Sequence, residues 1–494
     1  MNALIFIKLF ILLSIFQCSE RGVKQPTDYK QFQPNLVLIQ TDEHNFRTLG
    51  CYREHLSEEQ AFIWGPGNNV ETPNIDFLAE NGVIFTKFYA TTPVCSPSRG
   101  SLISGLYPHQ NGVPKNDVPL NDDVVTYSEV LTKAGYKTGF IGKWHLDGEG
   151  KPQWGPERRF GFDDNKYMYN RGHWKKLEDT PTGPKVAGTN DKGEPNYDLD
   201  GADEKSFTTD FLTDRTIDFI EKNKDFPFSI YLSLPDPHGP DKVRPPYDNM
   251  YTDMNFEKPP TFNLDPEIVP SWAKPEKNPK TTHHQYFGMV KCIDDNVGKI
   301  ITYLRENNLL DKTIIVFTSD HGDLRAEHGK HNKGNPLEAS AKIPFIVYYP
   351  AKIPAGTVVN NAFGVVDFSP SILNFMDKKV PTQMVGRDFS NLLTNPENAE
   401  NYEDIAILRA TGTGSNGNWV AAITSHYKLI LSKNDEPWLI DMKTDPNEKI
   451  NYIKKAGKTE IVKELATKLN DYANKQNDLF LKGTKMAEDL KKLL

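Results

Sequence analysis

The 494-residue chain is 37% hydrophobic and 11% aromatic, a composition that suits a packed globule and excludes a disordered chain. One hydrophobic core stops growing before this length, so a large domain with a smaller companion is expected. A net charge of -8 offers no global attraction to nucleic acid or acidic membranes, and an anionic substrate would need a local cationic pocket.

The chain opens on MNALIFIKLFILLSIFQC, an apolar run too short to span a bilayer and succeeded by polar residues, so 1–18 read as an export signal. Cys18 stands where a bacterial lipoprotein would be lipidated, but Gln17 is bulky where a small residue is wanted. A lipid anchor at Cys18 and a plain signal peptide therefore both stay open, and the protein is expected to be periplasmic, secreted or an outer-membrane lipoprotein. Cys51, Cys95 and Cys292 remain, an odd number without paired spacing. That argues against a disulfide framework and a structural zinc site.

Buried strands are expected at Asn35–Gln40, Lys137–Ile141, Phe228–Leu234, Thr313–Thr318 and Pro344–Tyr349, runs rich in β-branched and aromatic residues. Helices are expected at Asn74–Asn81, Thr126–Ala134, Phe207–Asn223 and Tyr286–Asn307, the first two closed by glycine. The alternation predicts an α/β catalytic domain over 34–374, with a large, mainly parallel sheet flanked by helices. Two polar stretches, Gly148–Asp203 and Arg244–Pro279, read as insertions that either shape a substrate site or lie as surface loop. Over 375–494 the segments DIAILRA, WVAAIT, YKLILS and PWLIDM, then a charged helix from about Glu460, predict a smaller antiparallel sheet with one helix.

The residues just beyond the strand ends carry the chemistry. Asp42-Glu43 stand after the first, Lys143 and His145 after the second, His238 after the third, and Asp320-His321 after the fourth. Parallel strands present their carboxyl ends along one edge, where ligands bind, so these distant segments can meet in one pocket. Three crowded carboxylates, Asp42, Glu43 and Asp320, would repel by several kcal/mol at an effective dielectric of about 20 unless a cation sits among them. Oxygen ligands with one imidazole, His321, suit a hard divalent ion, calcium before magnesium. Arg99, Lys143 and Lys333 add positive charge, and His145 and His238 can move protons. Such a pocket suits a tetrahedral oxyanion, phosphate or sulfate. Taken singly, Asp42-Glu43 reads as a cap or turn, each histidine as a structural residue and Lys333 as a surface lysine. Asp323, Glu327 and His328 read as structural.

Cys95 lies just before PSRGSLISG, which reads as a short helix with Ser96 as N-cap, proline in its first turn and Gly105 as stop. A helix N-terminus favours negative charge and would lower a thiol pKa, as a thiolate nucleophile requires. Composition alone takes the cysteine no further.

The segment CSPSRGSLISG resembles the signature of type I sulfatases, in the alkaline phosphatase superfamily. Other segments agree in order: PNLVLIQTDEH, GKWHL, PDPHGP, FTSDHGD, KGNPLEASAKIPFIVYYP and a closing EPWLIDMKTDPNEKIN. The resemblance covers roughly residues 34 to 455 and is similar in kind to bacterial polysaccharide-utilisation sulfatases. It implies that Cys95 is converted to formylglycine (3-oxoalanine) by a formylglycine-generating or sulfatase-maturing enzyme. It further implies that Asp42, Glu43, Asp320, His321 and residue 95 hold one divalent ion, Ca2+ before Mg2+. Arg99 would hold the formylglycine hydrate, Lys143 and His145 would contact hydrate and sulfate, His238 would be the acid, and Lys333 would bind sulfate oxygens. Many members carry Asp-Asp and Asp-Asn where this chain has Asp42-Glu43 and Asp320-His321.

The implied activity is hydrolysis of a sulfate ester on a sulfated oligosaccharide or polysaccharide: an algal polymer such as ulvan or carrageenan, or a glycosaminoglycan. The export signal, the long insertions and scattered aromatic and basic residues such as His173, Trp174 and Arg244 suggest a sulfated carbohydrate, with no substrate-binding residue assigned. Two rivals share the fold: a formylglycine-dependent phosphodiesterase or phosphonate monoester hydrolase, and an inactive secreted glycan-binding homologue.

Overall fold

The computed structural model describes residues 33–277, 281–410, 418–455 and 457–494. Residues 1–18, expected to be an export signal, and with them Cys18, the candidate site of a lipid anchor, lie outside the described residues. Pro34–Leu494 form one compact unit. Among the described residues no helix is long and apolar enough to cross a membrane.

The main sheet has eight strands: β1 (Asn35–Asp42), β2 (Val83–Phe85), β3 (Lys137–Lys143), β4 (Met168–Tyr169), β5 (Phe228–Pro237), β6 (Thr313–Ser319), β7 (Phe345–Tyr348) and β8 (Thr357–Val359). Their order across the sheet is β8-β2-β7-β6-β1-β5-β3-β4. β6, β1, β5 and β3 run parallel side by side, Ile39 standing level with Phe317 on one side and Leu232 on the other. β7 is antiparallel to both β6 and β2, so its carboxyl end points away from the edge that the four parallel strands share.

Both faces of β1 are buried, which is why its sequence is an unbroken apolar run rather than an alternating one. Val37 and Ile39 join one core with Phe211, Phe219, Phe287 and Val297 from helices Thr208–Asn223 and His283–Glu306. Leu36 and Leu38 join the other, with Ile103, Leu131 and Ile372 from helices Cys95–Ser104, Tyr127–Lys133 and Phe368–Phe375.

The C-terminal sheet has four antiparallel strands, Ala406–Ala410, Trp419–Ile423, Tyr427–Ser432 and Trp438–Asp441. One face packs through Leu408, Ala421 and Ile430 against Tyr89, Trp272 and Leu337. Its other face, with Ile407, Val420 and Leu429, is covered by Val462, Leu465 and Leu469 of helix Thr459–Lys475. The expectation of one helix there is corrected: a second, Lys485–Leu493, comes after it and adds Met486 and Leu490 to the same layer. Its short, mostly polar sequence offers too few apolar turns to read as a helix in isolation.

The Ser96 N-cap is also corrected. The helix begins at Cys95, with Val94 in extended backbone at the cap and its carbonyl accepting from Ser98 N at 3.1 Å. Asn116 Oδ1 accepts from Ser96 N at 2.9 Å, so a distant side chain supplies the partner that a serine cap would have given locally. Gly105 ends the helix as expected, at φ 63°.

Gly142, next to Lys143 on β3, has φ +107°, and a Cβ there would collide with the Ser233 carbonyl oxygen of β5. Gly142→Ala is therefore expected to cost about 3 kcal/mol or more. A drop in the urea or thermal unfolding midpoint checks this.

Candidate functional site

The four parallel strand ends converge on the N-terminus of helix Cys95–Ser104. Asp42, Lys143, Asp320 and His321 are fully buried there, and Cys95 and Arg99 are 2% exposed. Glu43 and His145 hold φ of 62° and 58°, and Asn332, beside Lys333, holds 62°. Non-glycine residues in this left-handed region cost energy and cluster where a surrounding site dictates the backbone.

Arg99 ties the site together. Its Nη2 lies 3.2 Å from Asp42 Oδ2 and 2.9 Å from Asp320 Oδ2, its Nε donates to Asp320 Oδ2 at 3.0 Å, and its Nη1 donates to the Lys143 carbonyl and Ser233 Oγ. Lys143 Nζ adds a 2.5 Å contact to Asp42 Oδ2. The cations thus take the Oδ2 atoms of both aspartates. Each Oδ1 turns the other way, Asp42 Oδ1 to 3.8 Å from Cys95 Sγ and 3.7 Å from His321 Nε2, Asp320 Oδ1 to 3.5 Å from the same nitrogen. His321 Nε2 lies 3.3 Å from Cys95 Sγ, while its Nδ1 faces the Gly322 carbonyl at 2.9 Å and so carries the proton.

Asp42, Cys95, Asp320 and His321 each offer one ligand atom, all within 4.8 Å of one another. Two carboxylate oxygens and an imidazole nitrogen around a position that formylglycine would turn from sulfur to oxygen form a donor set that fits a hard divalent ion. Glu43 stands beside this group. Its Oε2 is 2.8 Å from His238 Nε2 and 3.4 Å from Lys333 Nζ, while its buried Oε1 has no hydrogen-bond partner among the described residues. An orphaned buried carboxylate oxygen is what a cation would satisfy.

The electrostatics arise from the same contacts. Burial pushes the Asp42 carboxyl up, but Lys143 and Arg99 more than offset it and hold it well below the ordinary range. Asp320, buried beside Asp42, is pushed up instead. Burial opposes ionisation of Glu43, and His238 and Lys333 overcome it, bringing it to about 2. Cys95 is held well below a normal thiol, burial being outweighed by Lys143 and Lys333. Against burial, Asp320 raises His321 to about 9. Burial lowers His145.

Lys333 Nζ stands 3.4 Å from Cys95 Sγ and 2.8 Å from His238 Nε2. His145 Nε2 faces Asp117 Oδ1 at 3.4 Å, and its ring lies against Cys95 and Lys143. Every residue singled out at the strand ends is in this one centre. Asp323 and Glu327 are spent elsewhere: Asp323 Oδ1 accepts from the Arg325 and Asn332 backbones, and Glu327 pairs with Arg47 at 2.9 Å. His328 is buried away from the centre, its backbone bonded to Thr261.

Two of the aromatic and basic residues that suggest a carbohydrate are turned inward. Arg244 is 3% exposed and grips Asp210 through two nitrogens at 2.7 and 3.0 Å, and Trp174 is 2% exposed. Neither presents a surface to a sugar. His173 instead lies inside the centre, its Nε2 2.7 Å from Lys143 Nζ. Sequence reasoning also passes over Ser233, although a serine in the apolar run FSIYLSL is a legible sign of a buried polar task.

The sulfatase family profile matches residues 34–378, and an N-sulphoglucosamine sulphohydrolase C-terminal profile matches 326–475. The chain belongs to the sulfatase family and is thus a sulfuric ester hydrolase. It is 28% identical over 486 residues to the ulvan-active sulfatase of Formosa agariphila, covering 96% of this chain and 88% of that one. It is 26% identical over 548 residues to the N-acetylglucosamine-6-O-sulfatase of Bacteroides thetaiotaomicron, covering 95% and 91%. Among solved structures, BT4656 in complex with its substrate D-glucosamine-2-N,6-O-disulfate shares the fold, with a TM-score of 0.73 at 24% identity over 90% of this chain and 99% of that one.

Arg99→Met would leave the buried Asp42 and Asp320 carboxylates without their shared cation. Chelator-treated protein carrying it is expected to lose about 3–5 kcal/mol of stability, read by denaturant unfolding. Added Ca2+ should recover part of that loss.

Proposed function

We propose that this sulfatase removes sulfate from a sulfated carbohydrate outside the cytoplasm, using residue 95 as formylglycine. One observation carries the reading: Cys95 Sγ sits where the Oδ1 atoms of Asp42 and Asp320 and the Nε2 of His321 converge, with Lys143 and Lys333 beside it. The relatives named as an ulvan-active sulfatase and an N-acetylglucosamine-6-O-sulfatase support a sulfated glycan, which we take to be an algal polysaccharide such as ulvan or carrageenan, or a glycosaminoglycan. We assign catalysis to 34–374, with 375–494 as the subdomain that closes the unit.

Asp42, Asp320, His321 and residue 95 would hold a divalent ion, Ca2+ before Mg2+, and Glu43 would offer Oε1. When bound, the ion supplies positive charge to an oxygen nucleophile and to the sulfuryl oxygens. The formylglycine hydrate supplies two geminal hydroxyls, one to attack sulfur and one to expel sulfate by collapse to the aldehyde, which a thiol or serine lacks.

This chain's own residues do the rest. Arg99 orients Asp42 and Asp320 and favours the charged form of each against burial. Lys143 and Lys333 offset negative charge building on the sulfuryl oxygens. His238 would donate from Nε2 to the departing alkoxide: its Nδ1 faces the Gly239 carbonyl at 2.9 Å, and a proton on Nε2 has Glu43 Oε2 beside it at 2.8 Å. His145, its pKa lowered by burial, accepts the hydroxyl proton that lets sulfate leave.

Protein made with a formylglycine-generating partner should give a Cys95 peptide with the mass of the aldehyde or its hydrate, and unmodified thiol under conditions that convert a control sulfatase would refute the reading. Cys95→Ala should lower sulfate release by roughly 10⁴-fold or more. Cys95→Ser should do the same unless a maturation enzyme accepts serine. Sulfated oligosaccharides assayed by ion chromatography of free sulfate, beside phosphate diesters, separate this function from the phosphonate and phosphodiester alternative.

A further inference from the structure

The Gly148–Asp203 insertion sends two residues, His173 and Lys175, against the residue assigned as acid. The imidazole of His173 lies flat on that of His238, ring centres 3.5 Å apart and planes 10° apart. Its Nε2 is 2.7 Å from Lys143 Nζ. Lys143 is an ammonium paired with Asp42, so it donates, and His173 accepts as the neutral Nδ1–H tautomer. Lys143 thereby fixes the ring that fixes His238. Two residues on, buried Lys175 pairs with Asp236 at 2.6 Å and donates to the His238 carbonyl at 3.2 Å. Trp174 between them is buried and packs on Tyr197 at 5.2 Å, anchoring the segment.

We infer that His173 is a positioning residue for the proton transfer: it sets the plane of the His238 ring, while Lys175 fixes the backbone that carries it. This rests on the acid role proposed above. An acid delivers its proton only from about 2.6–3.2 Å, and one ångström of misplacement costs about 100-fold. The polar contacts of the His238 ring lie at its edge: Nδ1 meets one carbonyl, and Nε2 meets Glu43 and Lys333 at 2.8 Å each. Those contacts hold the ring at its edge, and His173 alone of these groups covers its face, blocking rotation about the Cβ–Cγ bond from that side.

The test uses formylglycine-bearing full-length enzyme and a series of phenyl sulfates from nitrophenyl, whose alcohol leaves without help, to unsubstituted phenyl, whose alcohol needs a proton. His238→Ala should steepen the dependence of kcat/KM on leaving-group basicity. His173→Ala should steepen it in the same direction, losing about 100-fold on phenyl sulfate and little on nitrophenyl sulfate. His173→Phe keeps the flat ring and should restore most of the phenyl sulfate rate. If His173→Ala fails to fold, His173→Gln, which keeps an acceptor for Lys143 without the stack, should show the loss expected of alanine. An equal loss across the series, or a phenylalanine variant no better than alanine, overturns the inference. A His238→Ala variant with an unchanged leaving-group slope removes the acid assignment itself, and the inference with it.

Discussion

The structure depends on the burial of carboxylates at adjacent strand ends and on the one guanidinium that makes this tolerable. Asp42 and Asp320 sit at the ends of neighbouring parallel strands, fully buried, and Arg99 reaches both Oδ2 atoms. A planar, permanently charged fork suits this task better than an ammonium, because it satisfies two carboxylates and still has donors for Ser233 and the Lys143 carbonyl. With both Oδ2 atoms spoken for, Asp42 Oδ1 faces Cys95 and His321, while Asp320 Oδ1 accepts from the Glu43 and His321 backbone N–H groups at 3.1 and 2.8 Å and lies 3.5 Å from His321 Nε2.

The helix that carries Arg99 also carries Cys95, one turn earlier. Its fully buried sequence allows it to lie deep against the sheet, with Leu102 and Ile103 in the core and Cys95 at the edge. Charge balance then sets the chemistry of residue 95. Burial alone would raise a thiol, yet Lys143 and Lys333 reverse that, and the same two cations suit the oxygens of a sulfate ester. On the proposed function, one set of charges both prepares the nucleophile position and binds an anion in a chain of net charge -8.

Much of this is legible in the sequence because it is local. Strand β1 and its flanking Asp42-Glu43 can be read from an apolar run that ends in charge, as can β3 with Lys143 and His145, and the closing glycine of the Cys95 helix. The start of that helix is not legible, because Asn116, distant in sequence, replaces a serine cap. That His173 stacks on His238 is not legible either, because nothing in YNRGHWKK says which loop folds inward. Arg244 looks available for a ligand, as any basic residue in a proline-rich stretch does, until Asp210 of the helix Thr208–Asn223 claims it.

The sequence by itself determined the parallel α/β order, the residue types at four strand ends and the cysteine motif, because periodicity, strand-end polarity and helix punctuation act over a few residues. Only the tertiary structure decided which oxygen of each aspartate faces a cation and which faces Cys95, that Glu43 leans on His238 and Lys333, and that an inserted segment stacks His173 on His238. Those choices are made by groups tens to hundreds of residues apart competing for the same buried hydrogen bonds, and only packing brings the competitors together.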